Sequence, residues 1–141
     1  MTNRSDRYTI ERAKREHFSD FLTNFDTNPV TGYLAKAVDE QAIEQSLRNL
    51  VLTTNGDWPY ESYIGSKLKG SLFDFNDDRM RNEIESSIFE TIKVSEPRVG
   101  LEDVSVATID DPNSVMVSIH YTILNIHNEI FTTDVVVNRV R

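Results

Sequence analysis

The chain has 141 residues, a formal net charge of −8 and no cysteine, so thiol catalysis, disulfides and cysteine-based zinc sites are excluded. One domain of this length buries enough surface to fold without a metal, and the acidic balance repels phosphate backbones, so nucleic acid is not an expected partner. No apolar run approaches the ~20 residues of a membrane span, and we expect neither a secretion signal nor a membrane partner.

Residues 1–33 are polar, with scattered aromatic side chains and no clean apolar period. We expect them to form an arm that orders on a partner or lies over the core; a frayed terminus is the alternative. Residues 34–141 are expected to form a single domain.

The first periodic segment follows Asp39. Apolar residues recur after it at spacings of three and four, and acidic residues occupy the first turns. This pattern predicts an amphipathic helix with Asp39 as its N-cap and an end near Leu52.

The segment after this helix is rich in turn-forming residues. Asn55-Gly56 is typical of a tight hairpin turn, and the pair Trp58-Pro59 does not suit a central strand. We therefore expect a small hairpin that projects from the core. Residues 66–73 predict a short helix with its apolar side chains on one side.

A second long helix is expected to begin near Asn76 or Asp77. Its apolar side chains are spaced four residues apart, at Met80, Ile84, Ile88 and Ile92. Because a proline restrains the residue before it to extended geometry, this helix should end by about Ser95, ahead of Pro97.

Three further segments predict strands. Val104, Val106 and Ile109 mark the first, the second alternates strictly over 115–123, and the third is the β-branched run 130–138, with turns at 110–113 and 125–128 between them. The fold class is therefore α+β, with N-terminal helices packed on a small antiparallel meander sheet.

The chain shows no convincing catalytic motif. Its three histidines lack metal or nucleophile partners, and neither a nucleophile elbow nor a phosphate-binding loop is present. Three carboxylate pairs each have an ordinary place at a helix start, a turn or a solvated helix face: Asp77-Asp78, Asp110-Asp111, and Glu83 with Glu85. We expect no enzyme activity, no cofactor and no metal.

Glu96-Pro97-Arg98 stands between the second helix and the first strand. Proline makes this corner stiff, and the corner places a carboxylate beside a planar guanidinium suited to bidentate pairing. One interpretation is a solvated linker whose exposed charges contribute little. The other is an element that contacts a partner.

The last strand is expected to lie at an edge of the sheet and is apolar on both faces through Val135-Val136-Val137. An uncovered edge invites pairing with another chain, which adds a strand by β-augmentation. The alternative is a protected edge, blunted by Asp134, Asn138, Arg139 and Arg141.

Taken in order, these features resemble the gene-25-type baseplate wedge proteins, or sheath initiators, of contractile phage tails, a family shared with type VI secretion baseplates. The resemblance covers about residues 35–125 and depends on the order of its pieces. Those pieces are the Leu-rich helix, the tip Leu52-Thr53-Thr54-Asn55-Gly56 that closes on Trp58-Pro59-Tyr60, the segment Gly65-Ser66-Lys67-Leu68 leading to Leu72-Phe73, and the helix that runs into Glu96-Pro97-Arg98.

The resemblance implies a structural subunit, present as six copies around the baseplate, with a fold like the handshake domain of a sheath protein. It implies that Glu96, Pro97 and Arg98 contact the core bundle of the wedge, and that the tail sheath protein polymerises from this subunit. With the edge argument, it assigns the sheath contact to the strand residues Asp134, Val135, Val136, Val137 and Asn138.

The expected location is the tail baseplate of a virion, after assembly in the host cytoplasm. Because members of the family have been labelled as lysozymes, a peptidoglycan-degrading tail enzyme is the alternative function.

Overall fold

A computed structural model describes residues 17–68, 78–109, 114–126 and 129–138. These residues contain two helices and two antiparallel sheets, and this composition confirms the α+β class. The elements in chain order are β1 (Ser19–Phe21), β2 (Lys36–Val38), α1 (Glu40–Leu52), α2 (Asp78–Ser95), β3 (Val99–Thr108), β4 (Ser114–Ile123) and β5 (Phe131–Asn138).

The main sheet is the predicted meander. Its order is β3-β4-β5, both pairings are antiparallel, and β4 therefore lies between two edge strands. The β3–β4 register shifts between Leu101 and Asp103, which is the mark of a β-bulge. The β4–β5 register is unbroken from Ser114–Asn138 to Tyr121–Phe131.

Both helices cover one face of this sheet. Helix α2 packs on β3, α1 packs on β5, and the helices also contact each other. The predicted stripe of α2 is buried at Ile84, Ile88 and Ile92. On the sheet, alternate side chains enter the same core, and they include Tyr121, Ile119, Val117, Val135 and Val137.

A second, two-stranded sheet precedes the helices, which differs from the expected helices-first order. β1 pairs antiparallel with β2, and Asp20 lies opposite Ala37. Three-residue strands are too short to show an alternating pattern, so sequence periodicity does not predict them. The proposed boundary between an arm at 1–33 and a domain at 34–141 stays a prediction.

Asp39 occupies the predicted N-cap position of α1, where its carbonyl accepts a hydrogen bond from the Ile43 N–H at 3.1 Å, but its side chain has another role. Helix α1 does begin at Glu40, but Asp39 has φ 49° and its side chain makes no capping hydrogen bond. Its Oδ1 atom instead accepts hydrogen bonds from the backbone N–H of His17 at 2.8 Å and of Phe18 at 3.1 Å. Asp39 thus ties the segment before β1 to the start of α1.

The predicted hairpin after α1 is wrong. Residues 53–65 contain no strand, and Thr54 forms a single parallel bridge with Ser66. The turn itself forms, since the Asp57 N–H donates to the Thr54 carbonyl at 3.0 Å and Gly56 has φ 96°. No alternating apolar residues flank this turn, so no strands extend from it.

Several predictions fall beyond the residues that the structure describes. They are the short helix past Leu68, the helix start at Asn76 or Asp77, the turn at 110–113 and the second half of the turn at 125–128.

Candidate interaction site

The Glu96-Pro97-Arg98 corner joins α2 to β3 and carries an internal ion pair. Arg98 Nε lies 2.6 Å from Glu96 Oε1, and Arg98 Nη2 lies 2.6 Å from Glu96 Oε2. The two parallel contacts are the bidentate geometry expected of a guanidinium and a carboxylate. The predicted pairing exists, but both partners belong to this chain.

Burial excludes the solvated-linker interpretation of this corner. Only 3% of Glu96 is exposed, and Ser46 Oγ donates a third hydrogen bond to its Oε2 at 2.5 Å. Because Ser46 belongs to α1, one carboxylate connects α1, the end of α2 and the start of β3. Buried charges need this kind of full pairing.

The protonation state of the corner follows from these contacts. Burial alone raises the pKa of Glu96, but the hydrogen bonds from Arg98 and Ser46 and the positive charge of Arg98 outweigh it, so the pKa is lowered below its ordinary value. The hydrogen bond to Glu96 is the main cause that raises the pKa of Arg98. Both groups are therefore charged at neutral pH.

The segment before β1 covers part of the corner. The guanidinium carbon of Arg98 lies 5.7 Å from the centre of the Phe18 ring, which is within cation–π range, and Asp39 holds the Phe18 backbone. The Arg98 side chain keeps 28% of its surface exposed, and Pro97 is exposed. A partner would thus meet Pro97 and the outer part of Arg98.

Sequence reasoning missed Ser46 and Phe18 as members of this site. Ser46 carries a usable signal, because it follows the buried Ile43 by three residues and Ala42 by four and so occupies the apolar stripe of α1. A polar residue in such a stripe indicates a buried partner. Phe18 carries no comparable signal, since it is far from Arg98 in sequence.

The direction of the β5 backbone can be derived from one hydrogen bond at the other edge. The Val106 N–H donates to Glu85 Oε1 of α2 at 2.9 Å, so the backbone of Val106 faces away from β4. In an antiparallel pair, residues directly opposite each other either exchange both backbone hydrogen bonds or exchange none, and the two kinds alternate along the strands. Val106 and Val117 are opposite each other and exchange none, so the N–H and C=O groups of Val117 face β5. Val135 is opposite Val117, so the backbone groups of Val135 face β4.

It follows that the alternate positions of β5 direct their N–H and C=O groups outward. A second hydrogen bond agrees with this alternation. Leu124 is an odd number of residues from Val117, so its backbone should face β3, and the Leu124 N–H does donate to the Arg98 carbonyl at 3.0 Å. Among the described residues, no strand pairs with the outer side of β5. The outward positions are Thr132, Asp134, Val136 and Asn138.

The polar side chains of β5 do not close this edge. Asp134 Oδ1 accepts from Ser118 Oγ at 2.6 Å, and Asn138 Oδ1 accepts from Ser114 Oγ at 2.9 Å, so both side chains are engaged toward β4. Val136, which is 48% exposed, lies between them on the solvent face. The two other predicted blunting residues, Arg139 and Arg141, lie outside the described residues.

The five predicted edge residues therefore separate into two groups. Val135 and Val137 place their side chains in the core, while Asp134, Val136 and Asn138 present the outer face. The Glu96 corner adjoins the start of β3, so the structure places the two predicted sites at opposite edges of the sheet, with β4 between them.

Of the three carboxylate pairs, Asp110-Asp111 and the first member of Asp77-Asp78 lie outside the described residues, and Glu83 with Glu85 is the pair that the structure describes in full. Glu85 was assigned to a solvated helix face, but it is half-buried and bound to the Val106 N–H. No group of three metal-ligating side chains is found among the described residues. Likewise, no helix in the described ranges is long and apolar enough to cross a membrane.

This fold is similar to that of several solved structures. A chain of the anti-feeding prophage baseplate, determined by cryo-EM with sixfold symmetry, aligns with a TM-score of 0.65 and 25% identity over 79% of this chain and 89% of that chain. A Geobacter sulfurreducens crystal structure, whose name proposes a tail lysozyme, aligns with a TM-score of 0.63 and 19% identity over 72% of this chain and 92% of that chain. At that lower identity the likeness shows the fold alone.

The class defined by this fold is a structural component of a contractile-tail baseplate. Residues 37–127 match the family described as baseplate wedge protein gp25, and the chain belongs to that family. This confirms the resemblance seen in the sequence and a location in the baseplate of a phage or phage-like particle. No curated protein sequence was similar enough to count as a match.

Proposed function

We propose that this chain docks on the core bundle of the baseplate wedge and initiates the sheath by accepting an extended arm of the tail sheath protein as an added strand on β5. The observation that carries the proposal is the outward backbone of β5 at Thr132, Asp134, Val136 and Asn138. Backbone groups of this kind give affinity to β-augmentation without requiring a particular partner sequence.

The core side of β5 prepares the strand for this role. Val135 and Val137 are buried against α1 and β4, so the strand is held in place before a partner arrives. A preformed strand loses less conformational entropy on binding than a disordered segment, and this favours association. The sheath arm would supply the partner strand, while Val136 offers it an apolar side chain on the solvent face.

The wedge contact is proposed at the opposite edge of the sheet. Glu96 positions Arg98 from within, and Pro97 with the outer part of Arg98 faces the wedge core bundle. Docking there leaves β5 available to the sheath arm. Six such subunits around the baseplate, assembled in the host cytoplasm, would present six β5 edges to the first sheath ring.

A substitution at Val136 tests the strand addition. Val136→Pro removes an outward N–H that β4 does not use, whereas the matched control Val136→Thr keeps the N–H and the β-branched shape. We expect baseplates carrying Val136→Thr to nucleate sheath like the unmodified protein and those carrying Val136→Pro to fail, as seen by electron microscopy with purified sheath protein. Equal nucleation by both variants would refute strand addition at this edge.

Pro97 offers the sharper test of the wedge contact. Arg98→Ala is not diagnostic, because it removes the counter-charge of the buried Glu96 and perturbs the fold itself. Pro97→Asp changes an exposed residue instead. We expect it to reduce incorporation into purified wedge subcomplexes while the melting temperature stays close to that of the unmodified protein. Unchanged incorporation would remove the wedge contact from this corner.

The alternative function is peptidoglycan hydrolysis, and the name of the Geobacter sulfurreducens neighbour is what favours it. A glycosidase needs two carboxylates facing one substrate, one of them with a raised pKa. Glu85 is occupied by a backbone N–H, and the described carboxyl with a clear shift, Glu96, has its pKa lowered. We therefore infer a non-enzymatic role. A clearing band in a cell-wall zymogram, lost on Glu83→Gln/Glu85→Gln, would overturn it.

A further inference from the structure

The segment between α1 and α2 exposes three large aromatic side chains on a well-defined base. We call residues 54–65 the aromatic loop. Trp58 is 57% exposed, Tyr60 is 99% exposed and Tyr63 is 59% exposed. Isolated exposed apolar residues are ordinary, but several aromatic residues in one short loop are the composition of a protein interface.

The base of the aromatic loop is fixed to both helices. The Ser66 N–H donates to the Thr53 carbonyl at 2.8 Å, and Ser66 Oγ donates to the Val51 carbonyl of α1 at 2.8 Å. From α2, Thr91 Oγ1 lies 3.1 Å from the Gly65 carbonyl, which shares its one proton with the Ser87 carbonyl at 2.8 Å. Gly65 has φ 111°, and a Cβ atom there would lie 2.7 Å from the Thr53 oxygen, so only glycine fits.

The tip of the loop is also ordered by its own backbone. Successive turns are closed by the Glu61 N–H to the Trp58 carbonyl at 3.3 Å and by the Ile64 N–H to the Glu61 carbonyl at 3.0 Å. The aromatic side chains remain exposed although the loop is tied at its base and closed by turns. A surface ordered in advance loses little entropy on binding.

The charges of the loop indicate what it binds. Between Thr53 and Ser66 the chain carries Asp57 and Glu61 and no lysine or arginine. Asp57 and Glu61 are sequence neighbours of Trp58 and Tyr60, and a surface with carboxylates and aromatic rings suits arginine, which pairs with the former and stacks on the latter. Because Asp57 Oδ2 accepts a hydrogen bond from the Thr54 N–H at 2.9 Å, Glu61 is the carboxylate that we assign to a partner. The same carboxylates repel nucleic-acid phosphates.

We propose that the aromatic loop is a docking surface for an arginine-bearing surface of another baseplate protein. This contact is additional to the sheath and wedge contacts proposed above, and it depends on neither of them. Trp58 and Tyr60 would supply the aromatic contacts, and Glu61 would set the preference for a cationic partner.

The test uses the fact that Trp58 is the single tryptophan of the chain. The full-length protein is labelled with 5-hydroxytryptophan, whose emission can be excited selectively in the presence of other proteins. The probes are the purified wedge subunits and the purified sheath protein of the same particle, added separately, and then the assembled baseplate. Burial of Trp58 by the wedge subunits or in the assembled baseplate should shift its emission and reduce its quenching by acrylamide, whereas a shift caused by the sheath protein alone would contradict a baseplate partner.

Two variants test the stated chemistry of the partner. Tyr60→Ala should weaken the binding measured by this emission by about tenfold or more, and Glu61→Lys should weaken it by a similar factor. The matched control Glu83→Lys reverses an exposed charge on α2 and should leave the affinity unchanged. Added salt should weaken binding of the unmodified protein and affect Glu61→Lys less.

Three results would overturn the proposal. A Trp58 that stays fully quenchable in assembled baseplates would show that no protein covers the loop. Loss of binding in Tyr60→Ala but not in Glu61→Lys would exclude a cationic partner. An emission shift on adding chitotetraose, with none from the baseplate proteins, would assign the loop to a sugar. Because Tyr60 and Glu61 are exposed, unchanged melting temperatures of both variants serve as the folding control.

Discussion

The two edge strands of the main sheet, β3 and β5, differ in how their outward backbone groups are covered. At β3, helix α2 packs alongside the strand, Glu85 takes the Val106 N–H, and a bulge between Leu101 and Asp103 interrupts the pairing. At β5, the outward backbone groups meet no strand among the described residues, and the polar side chains of Asp134 and Asn138 are engaged toward β4.

Open edges promote unwanted pairing, and proteins protect them with bulges, charged side chains or covering helices. All three devices occur at β3. At β5, no strand among the described residues pairs with the outward backbone groups, and we therefore propose β5, not β3, as the edge that accepts an added strand.

The largest effect is expected from proline substitutions at neighbouring positions of β5. Val135→Pro removes an N–H that bonds to β4 and a buried side chain, and should cost about 3 kcal/mol or more. Val136→Pro removes an outward N–H and should cost about 1 kcal/mol or less. Urea unfolding of both variants measures the difference. If Val136→Pro is the more damaging variant, the outward positions are the odd ones and the deduced alternation is wrong.

The next largest effect is expected at the corner that anchors the closed edge. Arg98→Ala leaves the buried Glu96 carboxylate without its counter-charge, and should destabilise the fold by about 2 to 4 kcal/mol, less than for a fully buried pair because Arg98 is partly exposed. The control Arg48→Ala removes an exposed arginine of α1 and should change stability by about 0.5 kcal/mol or less. Equal melting temperatures of the two variants would show that the corner is not a structural anchor.

A smaller effect is expected when the closed edge is opened. Glu85→Ala frees the Val106 N–H and should cost about 1 kcal/mol, while Glu85→Gln, whose amide oxygen still accepts, should cost less. Sedimentation at rising protein concentration should also show more self-association for Glu85→Ala than for Glu85→Gln, because a second edge is exposed. Identical sedimentation would mean that α2 alone protects β3.

The smallest effect concerns the pH dependence of the same anchor. Since the pKa of Glu96 is lowered in the folded state, the unfolded chain binds the proton first, and the stabilisation is present above the ordinary glutamate pKa and lost as pH falls through the lowered one. We expect the stability advantage over Glu96→Gln to be largest near neutral pH and to shrink below about pH 4.5. An advantage that is constant down to pH 3 would mean that the charge of Glu96 is not what stabilises the corner.

Most elements could be predicted because their side-chain periods are long and regular. The four-residue stripe of α2 and the alternation of β4 persist over many residues, and β5 is a run of β-branched residues, so local sequence is sufficient. β1 and β2 are three residues each and remain invisible to this reasoning. The hairpin was wrong because Asn55-Gly56 specifies a turn but not the strands around it.

The position of the Glu96 corner could be predicted, but the contacts that other parts of the chain make with it could not. Glu96 and Arg98 are close in sequence, whereas Ser46 is 50 residues from Glu96 and the ring that contacts Arg98 belongs to Phe18, which precedes β1. Which backbone groups of β5 face outward depends on the Val106 hydrogen bond and on two registers. Pairwise geometry of this kind is absent from a single sequence.

The alternation along β5 also provides a readout of assembly at single-residue resolution. In the isolated protein, amide hydrogens at Thr133, Val135 and Val137 are held by β4 and should exchange slowly with solvent, while those at Asp134 and Val136 should exchange quickly. An added strand would slow the second group and leave the first unchanged. The protected and unprotected amides of one strand would thus report separately on folding and on occupancy of the edge.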